Sequence, residues 1–435
     1  MPKPRAVIEN PDKVKIVGLI VLLGFICAIL FHYREAAYLG LRYPHNTFLF
    51  KPWDVGGDFI NIYTRFVQGT VFSYGTYPPF AYVPLYLLRP FPGAMAYHVF
   101  LITFVIGALF WIYSQLATLT PLDRVTATIT TTLFTYPFLY ALDRGNLENW
   151  LFLFLMFSLW LFTKQRYRAS AILLGMAIAM KVYPGAFVAL FLSRRKFKEA
   201  GIAIAVAIVV TALGLIPYDG PLHEFMAALG KNFAGYKAQY ILGDDGLRFS
   251  SNYFAVIKYF LIVWLPNRVS TQSLLVPYFF ACLAGYLFIA VYVIFIEKQL
   301  WKQVLLLTLS VILFPQVSYD YKQVHLFLPL GLFFAATEKG KRNLHYAVLF
   351  GLLLIPKAYV WPLEFDEVRS HYDINLGILI NPLIMTLMAF LVLEEGFSVA
   401  AIKEAFYEVR NFFVRNKPAT TSKRPTKRAR PQAGT

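Results

Sequence analysis

The sequence is short of charge. Only 15% of its 435 residues are Asp, Glu, Lys or Arg, against about a quarter in soluble domains, while 58% are hydrophobic. That balance excludes an ordinary soluble chain. It does not indicate disorder, because 41 Phe, 28 Tyr and 7 Trp far exceed an unfolded composition. Cysteine is nearly missing: Cys27 and Cys282 both lie in apolar runs, which leaves no disulfide framework and no Cys-based metal site. There is no Gly-Lys-Ser/Thr phosphate loop, no zinc-ligand spacing and no Gly-rich dinucleotide fingerprint. Acids are scarce too, 24 against 41 Lys and Arg, for a formal charge of +17. What remains is an all-α polytopic membrane protein, and the question becomes where the excess charge lies.

A membrane-spanning helix needs about 20 largely apolar residues. Such runs fall near 14–33, 94–117, 124–142, 147–163, 199–216, 273–296, 303–317, 323–337, 344–361 and 375–393. The stretch 169–192 has basic residues on both flanks and is interrupted by Lys181 and Pro184. It reads as two short helices in a hairpin with Lys181 near the tip, which makes about twelve segments; a single tilted span is the alternative. With the N-terminus cytoplasmic, one side collects 26 Lys/Arg and 10 acids, the other 14 of each, and Lys181 lies between. The excess charge is therefore expected to be topological, by the positive-inside rule. The first span lacks a small-x-small cleavage site and reads as a retained anchor. Both termini are expected in the cytoplasm of a cell with this protein in its inner membrane.

The membrane domain covers 1–395, with long outer loops at 34–93 and 217–272. Beyond it, Ile402, Ala405, Phe406, Val409 and Phe413 share a helical face, so 396–416 is expected to lie in the cytoplasmic interface. The basic tail 417–435 is expected to be disordered and drawn to anionic membrane lipids rather than nucleic acid.

The polar residues that could carry chemistry concentrate on the outer side. From Asp58 on, Phe59, Ile62, Tyr63, Phe66 and Val67 keep helical spacing, which predicts an amphipathic helix on the membrane with Asp58 at its N-cap. Asp58 could simply cap that helix, or it could accept a proton from an attacking hydroxyl. Tyr77-Pro78-Pro79-Phe80 opens a second, shorter interfacial helix, a lipid anchor or a substrate contact. In Asp143-Arg144-Gly145-Asn146-Leu147-Glu148-Asn149, Arg144 could bind a phosphate and Asn146 a sugar hydroxyl; a snorkelling Arg in an interfacial turn is the plainer reading. Lys181, in Lys181-Val182-Tyr183-Pro184, is a cation inside a membrane hairpin. Such residues are usually functional and suit a lipid phosphate; an ion pair with an outer-loop carboxylate is the alternative. Later come Ser251-Asn252-Tyr253 and Ser318-Tyr319-Asp320-Tyr321-Lys322-Gln323-Val324-His325. There Asp320 and Lys322 could neutralise each other, and His325 is either an acid/base group or a packing residue.

Taken in order, Asp58-Phe59…Tyr63, Tyr77-Pro78-Pro79-Phe80, Gly145-Asn146, Gly175…Lys181-Val182-Tyr183-Pro184 and Asn252 resemble the polytopic GT-C glycosyltransferases. The resemblance, over about residues 15–395, is to the polyprenyl-phosphate-mannose-dependent alpha-mannosyltransferase-like group, glycosyltransferase family 87. It implies a GT-C-like bundle and inverting transfer from a polyprenyl-phosphate sugar to a lipid or glycan acceptor on the outer face, with Asp58 as base. Lys181, Arg144 and Lys322 would then stabilise the leaving phosphate, and Tyr63, Tyr77, Tyr183, Tyr321, Asn146, Asn252, Asp320 and His325 would line the substrates. No metal or other cofactor is expected. Many family members carry a His-His pair after Ser-Trp where this chain has Ser318-Tyr319-Asp320-Tyr321-Lys322, which leaves mannose open as the donor sugar. A lipid-linked polysaccharide polymerase or ligase, or a lipid or glycan transporter, is the competing reading.

Overall fold

The structure, a computed structural model, describes residues 11–243, 247, 249–264, 270–337, 342–363 and 372–397. Helix α1 (Pro11–Ala37) leads into a long loop that folds as α2 (Gly57–Val67), α3 (Val71–Tyr74) and a 3-10 segment, Pro79–Leu87, before α4 (Gly93–Gln115). Next come α5 (Pro121–Thr132), α6 (Tyr136–Arg144), α7 (Glu148–Thr163), α8 (Tyr167–Met180), α9 (Val188–Ser193) and α10 (Phe197–Leu213). The second long loop carries α11 (Leu222–Tyr236), a π-helical turn over Lys237–Leu242, and α12 (Tyr253–Trp264). The helices α13 (Leu275–Phe295), α14 (Leu300–Leu313), α15 (Phe327–Ala335), α16 (Asn343–Leu354) and α17 (Gly377–Gly396) follow.

Among the described residues, four stretches, Lys13–Ala37, Gly93–Gln115, Thr271–Ile296 and Gly377–Gly396, are long and apolar enough to cross a membrane. They expose large apolar side chains such as Leu19, Ile106, Phe280 and Phe390, which water would penalise and lipid does not. The chain is membrane-embedded. The remaining apolar helices are shorter. At the centre, α14 is buried from Trp301 to Leu313, polar Lys302, Gln303, Thr308 and Ser310 included.

Helices without a hydrophobic drive between them in lipid associate where small residues let backbones approach. Helices α8 and α10 show this. A Cβ on Gly175 would stand 2.6 Å from the Ala203 carbonyl oxygen, and Ala171, Ala200, Ala203 and Ala207 are buried nearby in the same pair of helices. The 169–192 stretch is a hairpin. Helix α8 stops at Lys181, whose backbone is extended; a 3-10 turn (Tyr183–Phe187) and α9 then return. Its two ends meet, since the Lys196 ammonium lies 4.8 Å over the Tyr167 ring and Phe191 packs edge-on to Phe162 at 5.3 Å. That same end of the bundle gathers basic residues, with Arg194 near the Lys298 carbonyl, Lys302 on Glu395 and Arg342 on Glu394.

The structure corrects several expectations. The span expected at 124–142 is two helices. The hydroxyls of Thr128 and Thr131 donate to the carbonyls of Arg124 and Ala127 at 2.7 and 2.6 Å, bonds that compete with regular helix, and Pro137 restarts the chain as α6. The segment after Tyr77 packs into the protein over its first turns, while Tyr86 and Leu87 at its end stay exposed. Its Pro79, Phe80, Ala81, Tyr82 and Leu85 are buried, and Gly214 sits so close that a Cβ there would meet the Phe80 backbone at 2.6 Å. After α16 ends at Leu354, the helical chain carries one short antiparallel pair of strands, Val360 opposite Asn375 through Leu363 opposite Tyr372. The amphipathic helix expected at 396–416 and the tail 417–435 lie outside the described residues beyond Phe397.

Candidate active site

The site is built where two tight turns meet. Gly56 caps α2 in the left-handed conformation (φ 70°), and its N–H donates to the Asp143 carbonyl at 2.6 Å. Gly145 ends α6, also left-handed (φ 59°), with Tyr97 so near that a Cβ would touch its ring at 2.7 Å. Both positions favour glycine on conformational grounds. The N-cap of α2 is thus Gly56, with no side-chain capping bond, and Asp58 is a residue inside the helix. Its carboxylate is released from the capping role expected of it.

That carboxylate is held instead from across the turn. Arg144 Nη2 donates to Asp58 Oδ1 at 2.5 Å and Asn146 Nδ2 to Oδ2 at 2.7 Å. Arg144 also holds Asp54, through the side chain at 3.1 Å and the carbonyl at 3.0 Å, and lies 4.0 Å over the Phe50 ring. Arg144 therefore orients Asp58. The Asp58 side chain keeps 24% of its surface exposed.

Beside it stands a buried charge cluster. Glu148 opens α7, and its N–H donates to Asn146 Oδ1 at 3.1 Å. Its carboxylate is fully enclosed and accepts from Lys181 Nζ at 2.5 Å and from the Tyr183 hydroxyl, with His325 Nε2 at 3.1 Å. His325 Nε2 also lies 2.8 Å from that hydroxyl. Lys181 reaches this point because α8 stops there and its backbone turns extended; its ammonium lies 4.8 Å over Tyr77 and 5.7 Å over Tyr321. Lys322 Nζ sits 4.7 Å over the opposite ring, Tyr183. Cations over aromatic faces keep part of their solvation by the ring's negative face. Burial drives the Lys322 ammonium down to about 8, while Glu148 pulls it the other way. Tyr77, near enough to Asn146 for a long 3.3 Å contact, is held well above the usual phenol range by burial and then by Asp58.

Asp58, Tyr77, Arg144, Asn146, Lys181, Tyr183, Tyr321, Lys322 and His325 thus come together. Three expected site residues lie apart. The Tyr63 hydroxyl donates to the Leu88 and Phe91 carbonyls at 2.9 and 2.8 Å, tying α2 to the approach of α4. Asn252 Oδ1 accepts from the Ala255 N–H at 2.7 Å at the start of α12. Asp320 does not pair with Lys322; it accepts from Tyr136, Ser251 and Gln323 at 2.7, 2.6 and 2.8 Å. Glu148 escaped the sequence reading as a site residue because it looked like one polar group in a turn. The signal was present: an acid at the head of an apolar run, in a chain with one lone intramembrane lysine.

A partly open carboxylate beside two cations and several tyrosines can take a proton from a hydroxyl and steady a phosphate. Residues 76–247 match the model of glycosyltransferase family 87, the family that the sequence resembles. No curated protein and no solved structure matches the chain. The matched stretch carries Tyr77, Arg144, Asn146, Glu148, Lys181 and Tyr183; Asp58 and the Ser318–His325 run lie outside it. Over residues 76–247, this membrane-embedded chain is similar to the glycosyltransferases of family 87.

Proposed function

We propose that the enzyme moves a sugar from a polyprenyl-phosphate donor to a lipid or glycan acceptor, with inversion and with Asp58 as general base. The observation that carries this is the grip of Arg144 and Asn146 on Asp58 next to the Lys181–Glu148 pair. Asp58 removes the proton of the acceptor hydroxyl as that oxygen bonds to the anomeric carbon. The bond from that carbon to the phosphate oxygen breaks, and polyprenyl phosphate leaves with the electron pair. Lys181 and Lys322 stabilise the charge growing on the leaving phosphate, the kind of preorganised electrostatic help that dominates many catalysed reactions. Arg144 and Asn146 aim the base. Mannose is the first donor sugar to test.

The geometry suits a lipid-linked donor. Helices α7 and α8 hold 16 and 14 residues, and at about 1.5 Å per residue they fall short of a hydrocarbon core about 30 Å thick. With their basic turn at the cytoplasmic headgroups, Glu148 and Lys181 lie recessed below the opposite surface, where a phosphate whose tail stays in lipid can reach them. This supports a reading with the site toward the outer face of the inner membrane and both termini in the cytoplasm.

The test is transfer by the purified chain from polyprenyl-phosphate mannose. Asp58→Asn should lose about 10²–10⁴ in kcat, the usual share of a positioned base, while still binding the donor. Undiminished turnover in that variant would remove Asp58 from the role.

A further inference from the structure

The π-helical turn after α11 serves no purpose in the scheme above. Such turns are rare and cluster at functional sites. This one carries Tyr240 back beside Tyr236, ring centroids 4.8 Å apart. Tyr240 then meets Tyr319 edge-on at 5.8 Å, and Tyr319 stacks on Tyr321 at 5.8 Å and 28°. Tyr321 lies under the Lys181 ammonium. The rings thus form one continuous wall from the second long loop to the cation. The wall is tied to the first loop as well: Asn232 Nδ2 on α11 donates to the Ser73 and Gly75 carbonyls at 3.0 and 3.1 Å, two residues ahead of Tyr77, and Phe225 packs against Phe72 and Tyr218.

We propose that Tyr236 and Tyr240 form a carbohydrate subsite that stacks the sugar ring of the acceptor. A pyranose offers a C–H face to the negative face of an aromatic ring and hydroxyls at its rim, and tyrosine supplies both the face and a phenol hydroxyl. The assignment to the acceptor rests on the transferase reading. There the donor phosphate takes the cations at Tyr77 and Tyr183, and inversion requires the acceptor to approach the anomeric carbon from the side opposite that phosphate. The wall continues outward from Lys181 and is the aromatic surface left for a second sugar.

The experiment uses the full chain as Asp58→Asn, in nanodiscs, titrated with methyl α-mannoside and methyl α-glucoside and followed by saturation-transfer NMR with irradiation of the aromatic protons. Transfer to the ring C–H protons of at least one glycoside is expected. Adding Tyr236→Leu or Tyr240→Leu, which keeps apolar bulk without the ring, should weaken binding about fivefold, within the worth of one aromatic contact; Tyr236→Phe and Tyr240→Phe should stay within about twofold by the same argument. No transfer from either glycoside, or binding unchanged by leucine, overturns the subsite. Saturating polyprenyl-phosphate mannose should leave the glycoside signal in place; displacement by that donor, but not by bare polyprenyl phosphate, would give the rings to the donor sugar and overturn the acceptor assignment. Turnover by the otherwise unaltered chain is measured separately. Ring-dependent glycoside binding without turnover would sink the transferase reading and not the sugar wall.

Discussion

Lys181 Nζ lies 2.5 Å from Glu148 Oε1, the lysine 16% exposed and the glutamate fully enclosed. The two come from different helices, α8 and α7, which run antiparallel and meet at this end. A buried charge left alone is far more costly than a buried pair. The asymmetry in burial decides which half of the pair is the more dangerous to remove.

Lys181→Met should therefore destabilise the chain by about 3–5 kcal/mol, the usual cost of stranding a buried charge, and more than Glu148→Gln, which leaves a lysine that still reaches solvent. The double variant should recover much of that loss while donor turnover stays low. Thermal unfolding in detergent, read as a double-mutant cycle, measures the coupling. Additive losses would mean that the pair is not a unit.

The pH dependence should follow Lys322. Its charged form is the one that binds a phosphate, and burial brings it to about 8. The kcat/KM for donor, which reports the free enzyme, should fall as pH rises through about 8. Lys322→Arg should move that limb out of range. Stability runs in the opposite sense. A lysine depressed from 10.5 contributes its stability above that value and loses it as pH falls through about 8. A donor profile flat to pH 10 would exclude Lys322 from phosphate binding.

Asp320 should matter for stability and not for chemistry. Three donors from α6, the second loop and its own segment converge on it, and burial still raises it to about 6. Its contribution is complete below 3.8 and lost as pH rises through about 6. Asp320→Ala should cost about 1–3 kcal/mol through the stranded donors and leave donor KM near its original value, whereas Asp320→Asn keeps an acceptor and should be milder. A donor KM raised tenfold in Asp320→Asn, with the fold intact, would return this residue to the site.

Arg144→Lys should reduce kcat about 10–100-fold with little change in donor KM. A lysine carries the charge but lacks the planar fork that spans Asp54 and Asp58 here. Steady-state kinetics with varied donor separates the two parameters. A loss confined to donor KM would instead favour direct contact between Arg144 and the phosphate.

The membrane class, the long loops and most residues of the candidate cluster were legible because they depend on local pattern. A run of apolar residues, a Gly-Gly turn and a lysine between basic flanks are each visible over a few positions. The helix break in 124–142 was legible in principle, since four threonines within eight residues precede Pro137. Buried Pro79–Leu85 was not, because a short apolar segment looks the same whether lipid or Gly214 covers it.

By itself the sequence determined the class of solvent around this chain, the uneven distribution of charge along it and the family resemblance, all of which composition and order record. Pairing was decided only by the tertiary structure. Asp58 and Arg144 lie 86 positions apart, Glu148 and His325 lie 177, and no local pattern states which charge will face which. The same packing left Lys322 over Tyr183 instead of on Asp320 two residues away. A side chain's partner is set by where helices end and how closely their backbones approach, and that is a property of the packed bundle.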